Sequence, residues 1–129
     1  MEVRGRKMAV IGAGASGLAA AALLHARGAE VILNDRRPRE ELDARAAELE
    51  QSGVKLALGS HDPAFFAGVE LVVLSPGVPP IPELAALFSK VEVIGEVELA
   101  SRFLTAPLIG ITGTNGKSTV TTLVGEMLQ

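Results

Sequence analysis

The sequence predicts an α/β domain, a parallel sheet with helices wound over both faces. Three observations carry this expectation. Short apolar runs alternate with helical stretches along residues 7–104. Those runs are nearly continuous in Val, Ile, Leu and Ala, as strands buried on both faces must be. A glycine-rich turn, Gly12-Ala-Gly-Ala-Ser-Gly17, joins the first run to the first helical stretch. Alternation of this kind means βαβ units. Right-handed crossovers then give a Rossmann-like, doubly wound sheet of about five strands. The expected order is 3-2-1-4-5, with ligand sites at the carboxyl ends of the strands.

Each element follows from its residues. Residues 7–12 form an apolar run that ends in glycine and read as a buried strand. Residues 16–27 are Ala- and Leu-rich and therefore helical, with Gly28 placed to end the helix. Residues 30–34 are the second strand. Residues 39–52 show helical periodicity, with Leu42, Ala46 and Leu49 on one face. Residues 54–58 make a third strand, 63–67 a short helix and 70–75 a fourth strand. Residues 75–82, Ser-Pro-Gly-Val-Pro-Pro-Ile-Pro, form a stiff connector that also shapes the ligand crevice. A helix is expected over 83–89, a strand over 91–94 and a helix over 96–104. Thr105-Ala-Pro107 reads as a hinge. The expected division is a first domain over 1–105 and the beginning of a second over 106–129.

Composition narrows the function classes. The chain has 129 residues and 48% hydrophobic content, enough for one packed domain. With no Trp, no Tyr and 4 Phe, its core must be aliphatic. A net charge of −3 argues against nucleic acid as the main partner. The absence of cysteine excludes disulfides, thiolate metal sites and a thiol nucleophile. Arg4, Arg6 and Lys7 precede an apolar run that Gly12, Gly14 and Gly17 interrupt at once, unlike a signal peptide. The Ala-rich stretch 18–26 is too short to span a bilayer. A cytoplasmic protein without membrane insertion is expected.

The first glycine turn is a G-x-G-x-x-G in the right context, with Asp35 closing the second strand. Gly12 permits the tight turn, Gly14 lets a ligand approach the backbone, and Gly17 lets the helix pack on the sheet. Free N–H groups at the helix start favour a diphosphate. Asp35 can accept hydrogen bonds from a ribose or a base edge, and Arg36 and Arg37 can meet phosphate or carboxylate charge. These residues leave NAD, FAD and a UDP-sugar open as ligands. The Ser75-Pro76-Gly77-Val78 turn follows the fourth strand and should face the same crevice. Other polar residues read as structural. His25 lies in an Ala-rich helix. His61 and Asp62 precede Pro63 at a helix start. Glu40, Glu41 and Asp43 lie in or near the first turn of the helix expected over 39–52. Glu96 and Glu98 can be read as an acid pair, but Glu96 is better placed as a helix start.

A second cradle lies near the C-terminus. An apolar strand over 107–111 leads into Thr112-Gly-Thr-Asn-Gly-Lys-Ser-Thr119 and a helix. Gly113 and Gly116 turn backbone N–H groups toward a phosphate chain, Lys117 adds charge, and Ser118 offers a hydroxyl to Mg²⁺. The usual spacing of Gly, four residues, then Gly-Lys-Ser fails by one position, since Ile111 stands where the first glycine belongs. A dehydrogenase has no use for such a second cradle. A free-standing module that senses a nucleotide is a further alternative.

The run Thr112–Thr119 resembles the compact ATP loop of the Mur ligases, the amide-forming enzymes of peptidoglycan precursor synthesis. The glycine loop, the acidic residue, Ser-Pro-Gly-Val, Ile94-Gly-Glu-Val-Glu-Leu99 and this loop, in that order, resemble the D-glutamate-adding branch of that family. The L-alanine-adding branch usually carries Gly-x-Gly-Gly-x-Gly in its first loop, which Gly12–Gly17 does not match. The resemblance implies a UDP-binding domain, a central ATPase domain and an amino-acid domain. It implies UDP-N-acetylmuramoyl-L-alanine, D-glutamate, ATP and Mg²⁺ as reactants and an acyl-phosphate intermediate. Carried onto this sequence, Gly14, Ala15 and Ser16 would line the uridine and diphosphate site. Asp35, Arg36 and Arg37 would border uracil and ribose, and Ser75, Pro76 and Gly77 would close the other side. Thr114, Asn115, Gly116, Lys117, Ser118 and Thr119 would hold ATP phosphates, with Lys117 catalytic and Ser118 also on Mg²⁺. The resemblance implies further that the 129 residues are an N-terminal part without the D-glutamate site, inactive alone. Val120, Leu123, Val124, Met127 and Leu128 would form an apolar helical stripe that invites self-association.

Overall fold

A computed structural model describes residues 1–103. Five strands form one parallel sheet: β1 (Lys7–Ile11), β2 (Glu30–Asp35), β3 (Lys55–Leu58), β4 (Leu71–Leu74) and β5 (Glu92–Gly95). Their order is β3-β2-β1-β4-β5, as the alternation of elements predicts. In the register, Met8 stands beside Val31 on one side and Leu71 on the other, and Ile11 beside Asn34 and Leu74.

Successive side chains of a strand point to opposite faces, and both faces of this sheet are covered. Met8, Val10, Val31, Leu33, Leu71 and Val73 pack with helices α1 (Ala15–Ala26), α2 (Ala44–Ser52) and α4 (Glu96–Phe103). Ala9, Ile11, Ile32, Ala57 and Val72 pack under Phe66, Leu84 and the short helix α3 (Ala85–Phe88). Residues Met8 to Ile11 are therefore wholly buried. This two-sided burial is why the strands read as continuous apolar runs.

Gly28, at φ +90°, ends α1, and the Ala29 N–H closes the turn on the Leu24 carbonyl at 3.1 Å. His25 is a packing residue, as its setting suggests. Its Nε2 meets the Ser52 carbonyl at 2.8 Å and ties α1 to the end of α2.

Two helices are shorter than their periodicity suggests. The stretch 39–52 divides into a single 3₁₀ turn, Arg39–Glu41, an extended Leu42, and α2. Asp43 causes the break, because its side chain accepts the Arg45 N–H at 2.9 Å and caps α2 from outside the helix. Glu40 and Glu41 consequently stand outside the first turn of α2. Over 83–89, a 3₁₀ turn at Pro82–Leu84 leads into only four residues of α3. Asp62 caps the 3₁₀ turn Pro63–Phe66 through the Ala64 N–H at 2.9 Å. The hinge at 105–107, the phosphate loop at 112–119 and the apolar stripe at 120–128 lie outside the described residues.

Candidate functional site

The carboxyl ends of the five parallel strands lie along one edge of the sheet, and the glycine loop after β1 meets the turn after β4 there. The Gly12 N–H donates to the Asn34 carbonyl at 2.8 Å, which carries the sheet pairing one residue past β1. Gly12 then turns with φ +105°. A Cβ there would stand 2.7 Å from Ser75 Cβ, so the glycine loop and the Ser-Pro-Gly turn are in contact. A Cβ on Gly17 would lie 1.6 Å from the Gly12 carbonyl oxygen, which fixes glycine as the residue that lets α1 sit against the loop.

Helix α1 starts uncapped. Gly14 is its N-cap residue and no side chain bonds to the first turn. The N–H groups of Ala15 and Ser16 have no intrahelical acceptor. Gly14 and Ala15 are exposed, and the space around Gly14 is open. Free N–H groups, a helix dipole and open space together make a cradle for an anion.

Asp35 lies at the end of β2, 8% exposed. One carboxylate oxygen accepts the Ala13 N–H at 2.7 Å and Arg37 Nη2 at 3.0 Å. The other accepts the Arg37 N–H at 2.8 Å and Arg37 Nε at 3.1 Å. Burial pushes its pKa upward, but the Arg37 side chain and the two backbone donors outweigh burial and hold it below the usual carboxylate value. The sequence suggested an acceptor open to ligand. In the structure this carboxylate fastens the glycine loop to β2, and its four acceptor positions are filled. Arg36 is exposed beside it, and half the Arg37 side chain remains exposed.

On the opposite wall the Ser75 N–H donates to the Ile11 carbonyl at 3.0 Å, and Pro76 and Gly77 are exposed. The structure thus brings Gly14, Ala15, Ser16, Asp35 and Ser75 together at the carboxyl edge of the sheet, with Arg36, Arg37, Pro76 and Gly77 exposed beside them. The expected residues 114–119 lie outside the described region.

Three further polar residues stand here. Glu96 opens α4 yet is buried, facing Ser16 and Ser75. Burial raises its pKa, and the two nearby serine hydroxyls pull the other way without reaching hydrogen-bonding geometry on its buried Oε1. It forms no acid pair with Glu98, which is exposed and bonds Arg102 at 3.2 Å. Asn34 is fully buried, and its amide donates to the Ala57 and Ser60 carbonyls at 2.7 and 2.8 Å. Its oxygen meets His61 Nδ1 at 2.6 Å. His61 is therefore a buried partner of Asn34 and stands before the cap of the Pro63–Phe66 turn, which Asp62 provides. Its pKa is lowered first by burial and then by Arg36, with Glu83 and Asp35 opposing. The only sequence sign of this pair is a polar residue ending an apolar strand.

Among the described residues no cluster of His, Asp or Glu suits a metal ion. None of the described helices is long and apolar enough to cross a membrane.

Residues 6–95 match the family described as Mur ligase MurD-like, N-terminal domain. The chain is 48% identical over 130 aligned positions to UDP-N-acetylmuramoylalanine–D-glutamate ligase of Syntrophotalea carbinolica, and 46% identical to the same-named protein of Desulfatibacillum aliphaticivorans. These alignments cover 99% and 100% of this chain but 29% of each relative. A solved pseudomurein peptide ligase type C from Methanothermus fervidus superposes with a TM-score of 0.64 at 28% identity, covering 89% of this chain and 24% of that one. D-lactate dehydrogenase from Escherichia coli superposes with a TM-score of 0.51 at 23% identity over 74% of this chain and 29% of its own, a likeness of fold alone.

Proposed function

The chain belongs to the MurD-like N-terminal domain family of the Mur ligases, and from that premise we propose that its crevice binds the UDP portion of UDP-N-acetylmuramoyl-L-alanine for a ligase that adds D-glutamate. The observation that carries the reading is the uncapped start of α1. The Ala15 and Ser16 N–H groups have no capping side chain, Gly14 before them stands in open space, and Gly12 of the same loop lies against Ser75. A diphosphate fits such donors because they are already oriented and need no reorganisation on binding.

Around that anchor, Gly14, Ala15 and Ser16 line the uridine and diphosphate. Arg36 and Arg37 border uracil and ribose, with Asp35 holding Arg37 in place. Ser75, Pro76 and Gly77 close the far wall. Residues 1–105 form the substrate-binding domain, and 106–129 begin an ATP-binding one. There Thr114, Asn115, Gly116, Lys117, Ser118 and Thr119 are the residues for ATP, and Ser118 the one for Mg²⁺. ATP supplies a phosphoryl group that turns a poor acyl donor, a carboxylate, into one that an amine can attack. The contribution of residues 1–105 is to hold the nucleotide end of the substrate, so that its far carboxylate is presented in a fixed position.

Calorimetric titration tests this. Saturable heat with UDP-N-acetylmuramoyl-L-alanine and none with NAD⁺ is the expected result. Saturable binding of NAD⁺ in its place would refute the reading and favour an oxidoreductase domain.

A further inference from the structure

Glu96 makes none of the contacts proposed for the UDP portion of the substrate. It is the first residue of α4, behind β5, at the end of the sheet where the crevice opens. The residue is 9% exposed, and its Oε1 is buried without a hydrogen-bond partner among the described residues. The polar groups facing it are the Ser16 hydroxyl from α1 and the Ser75 hydroxyl from the turn after β4. From β5 comes Gly95, without a side chain. On α4 itself Glu98 is engaged with Arg102, which also pairs with Glu92 of β5. No cation among these groups balances a charge on Glu96. The buried Oε1 of an ionised carboxylate in this setting is poorly solvated, and an anion arriving at Ser16 would make it worse. A neutral carboxylic acid has an O–H to donate and suits the same place.

We propose that Glu96 is a ligand-contacting residue of this crevice: as a neutral carboxylic acid it donates its O–H to a diphosphate oxygen of the bound nucleotide, so that binding takes up a proton. The inference rests on the UDP-binding reading of the site. The proton comes from solvent and returns to it on release, and no covalent bond to the ligand forms. Burial already raises the pKa of Glu96 in the free protein, and a neighbouring diphosphate adds to that effect.

UDP-N-acetylmuramoyl-L-alanine is a suitable probe, because its diphosphate is a diester and its carboxylate is ionised at neutral pH. Titration in buffers of different ionisation enthalpy counts the protons exchanged. Uptake of up to about one proton per ligand is expected, with affinity falling by up to about tenfold per unit of rising pH. Glu96→Gln keeps the volume and a donor but cannot titrate, so its affinity should be flat with pH and its proton uptake absent. Binding by the unaltered chain without proton exchange at any pH between about 5 and 8 would overturn the inference and leave the UDP reading intact. Uptake that persists in E96Q would also overturn it and point to another group such as His61. Should E96Q fail to fold, the buffer series is run on His61→Gln: uptake that persists there supports Glu96, and uptake lost with His61 overturns the inference. Absence of any binding would refute the UDP reading, and this inference with it.

Discussion

Asp35→Ala should loosen the glycine loop and cost the fold about 2–3 kcal/mol. The magnitude follows from the bonds this carboxylate makes. The Ala13 N–H, 2.7 Å away and buried, has no water to turn to, and leaving such a donor unpaired costs ~1–3 kcal/mol. The ion pair with Arg37 adds less, ~0–1 kcal/mol, because 46% of the Arg37 side chain is exposed and solvent screens it. The Arg37 N–H sits on an exposed residue and can bond water instead. Equilibrium unfolding in urea measures the difference, with an unchanged slope as the sign that only stability has moved. Arg37→Ala is the matched control and should cost under about 1 kcal/mol. The pH dependence has a definite sign. Asp35 has a folded pKa below its ordinary 3.8, so its contribution is present above that value and lost as pH falls through the folded pKa. The gap between the natural chain and D35A should therefore narrow only below about pH 4. Equal costs for D35A and R37A would refute the claim that the buried bond to Ala13 fastens the loop.

Gly17→Ala places a Cβ 1.6 Å from the Gly12 carbonyl oxygen, a contact between backbone groups that no rotamer relieves. It should destabilise by about 3 kcal/mol or more in urea unfolding and abolish nucleotide binding, whereas Gly14→Ala, at a position with open space, should cost the fold little. His61 is buried against Asn34 with a folded pKa below its ordinary 6.5. The stability it contributes is present above that value and lost as pH falls through the folded pKa. Urea midpoints of the natural chain should fall over that window, while His61→Gln should not show this component. Identical pH profiles for the two chains would refute the assignment.

Much of this architecture is legible in the residues, because physics local to each segment dictates it. Two-sided burial requires unbroken apolar strands, and Met8 to Ile11 form one. The glycine loop is legible because Gly12 and Gly17 each meet a constraint that any Cβ would violate. The division of 39–52 was hidden because apolar periodicity continues through Leu42, while Asp43 acts by competing locally for the Arg45 N–H. Long-range placement hid the rest. Asn34 gains its partners only when β2 pairs with β3, which brings the Ala57 and Ser60 carbonyls and His61 to it. Asp35 reads as a free acceptor until the loop after β1 folds back and supplies the Ala13 N–H. Glu96 reads as a surface helix start, and only the docking of α4 against α1 and β4 turns it inward.

The most direct test of the central claim is an amide-resolved NMR titration of the chain with UDP-N-acetylmuramoyl-L-alanine. Saturable shifts centred on Gly14, Ala15 and Ser16, on Arg36 and Arg37, and on Ser75 and Gly77 are expected, with no comparable change from NAD⁺. Shifts that avoid the start of α1, or the same shifts produced by NAD⁺, would contradict the claim.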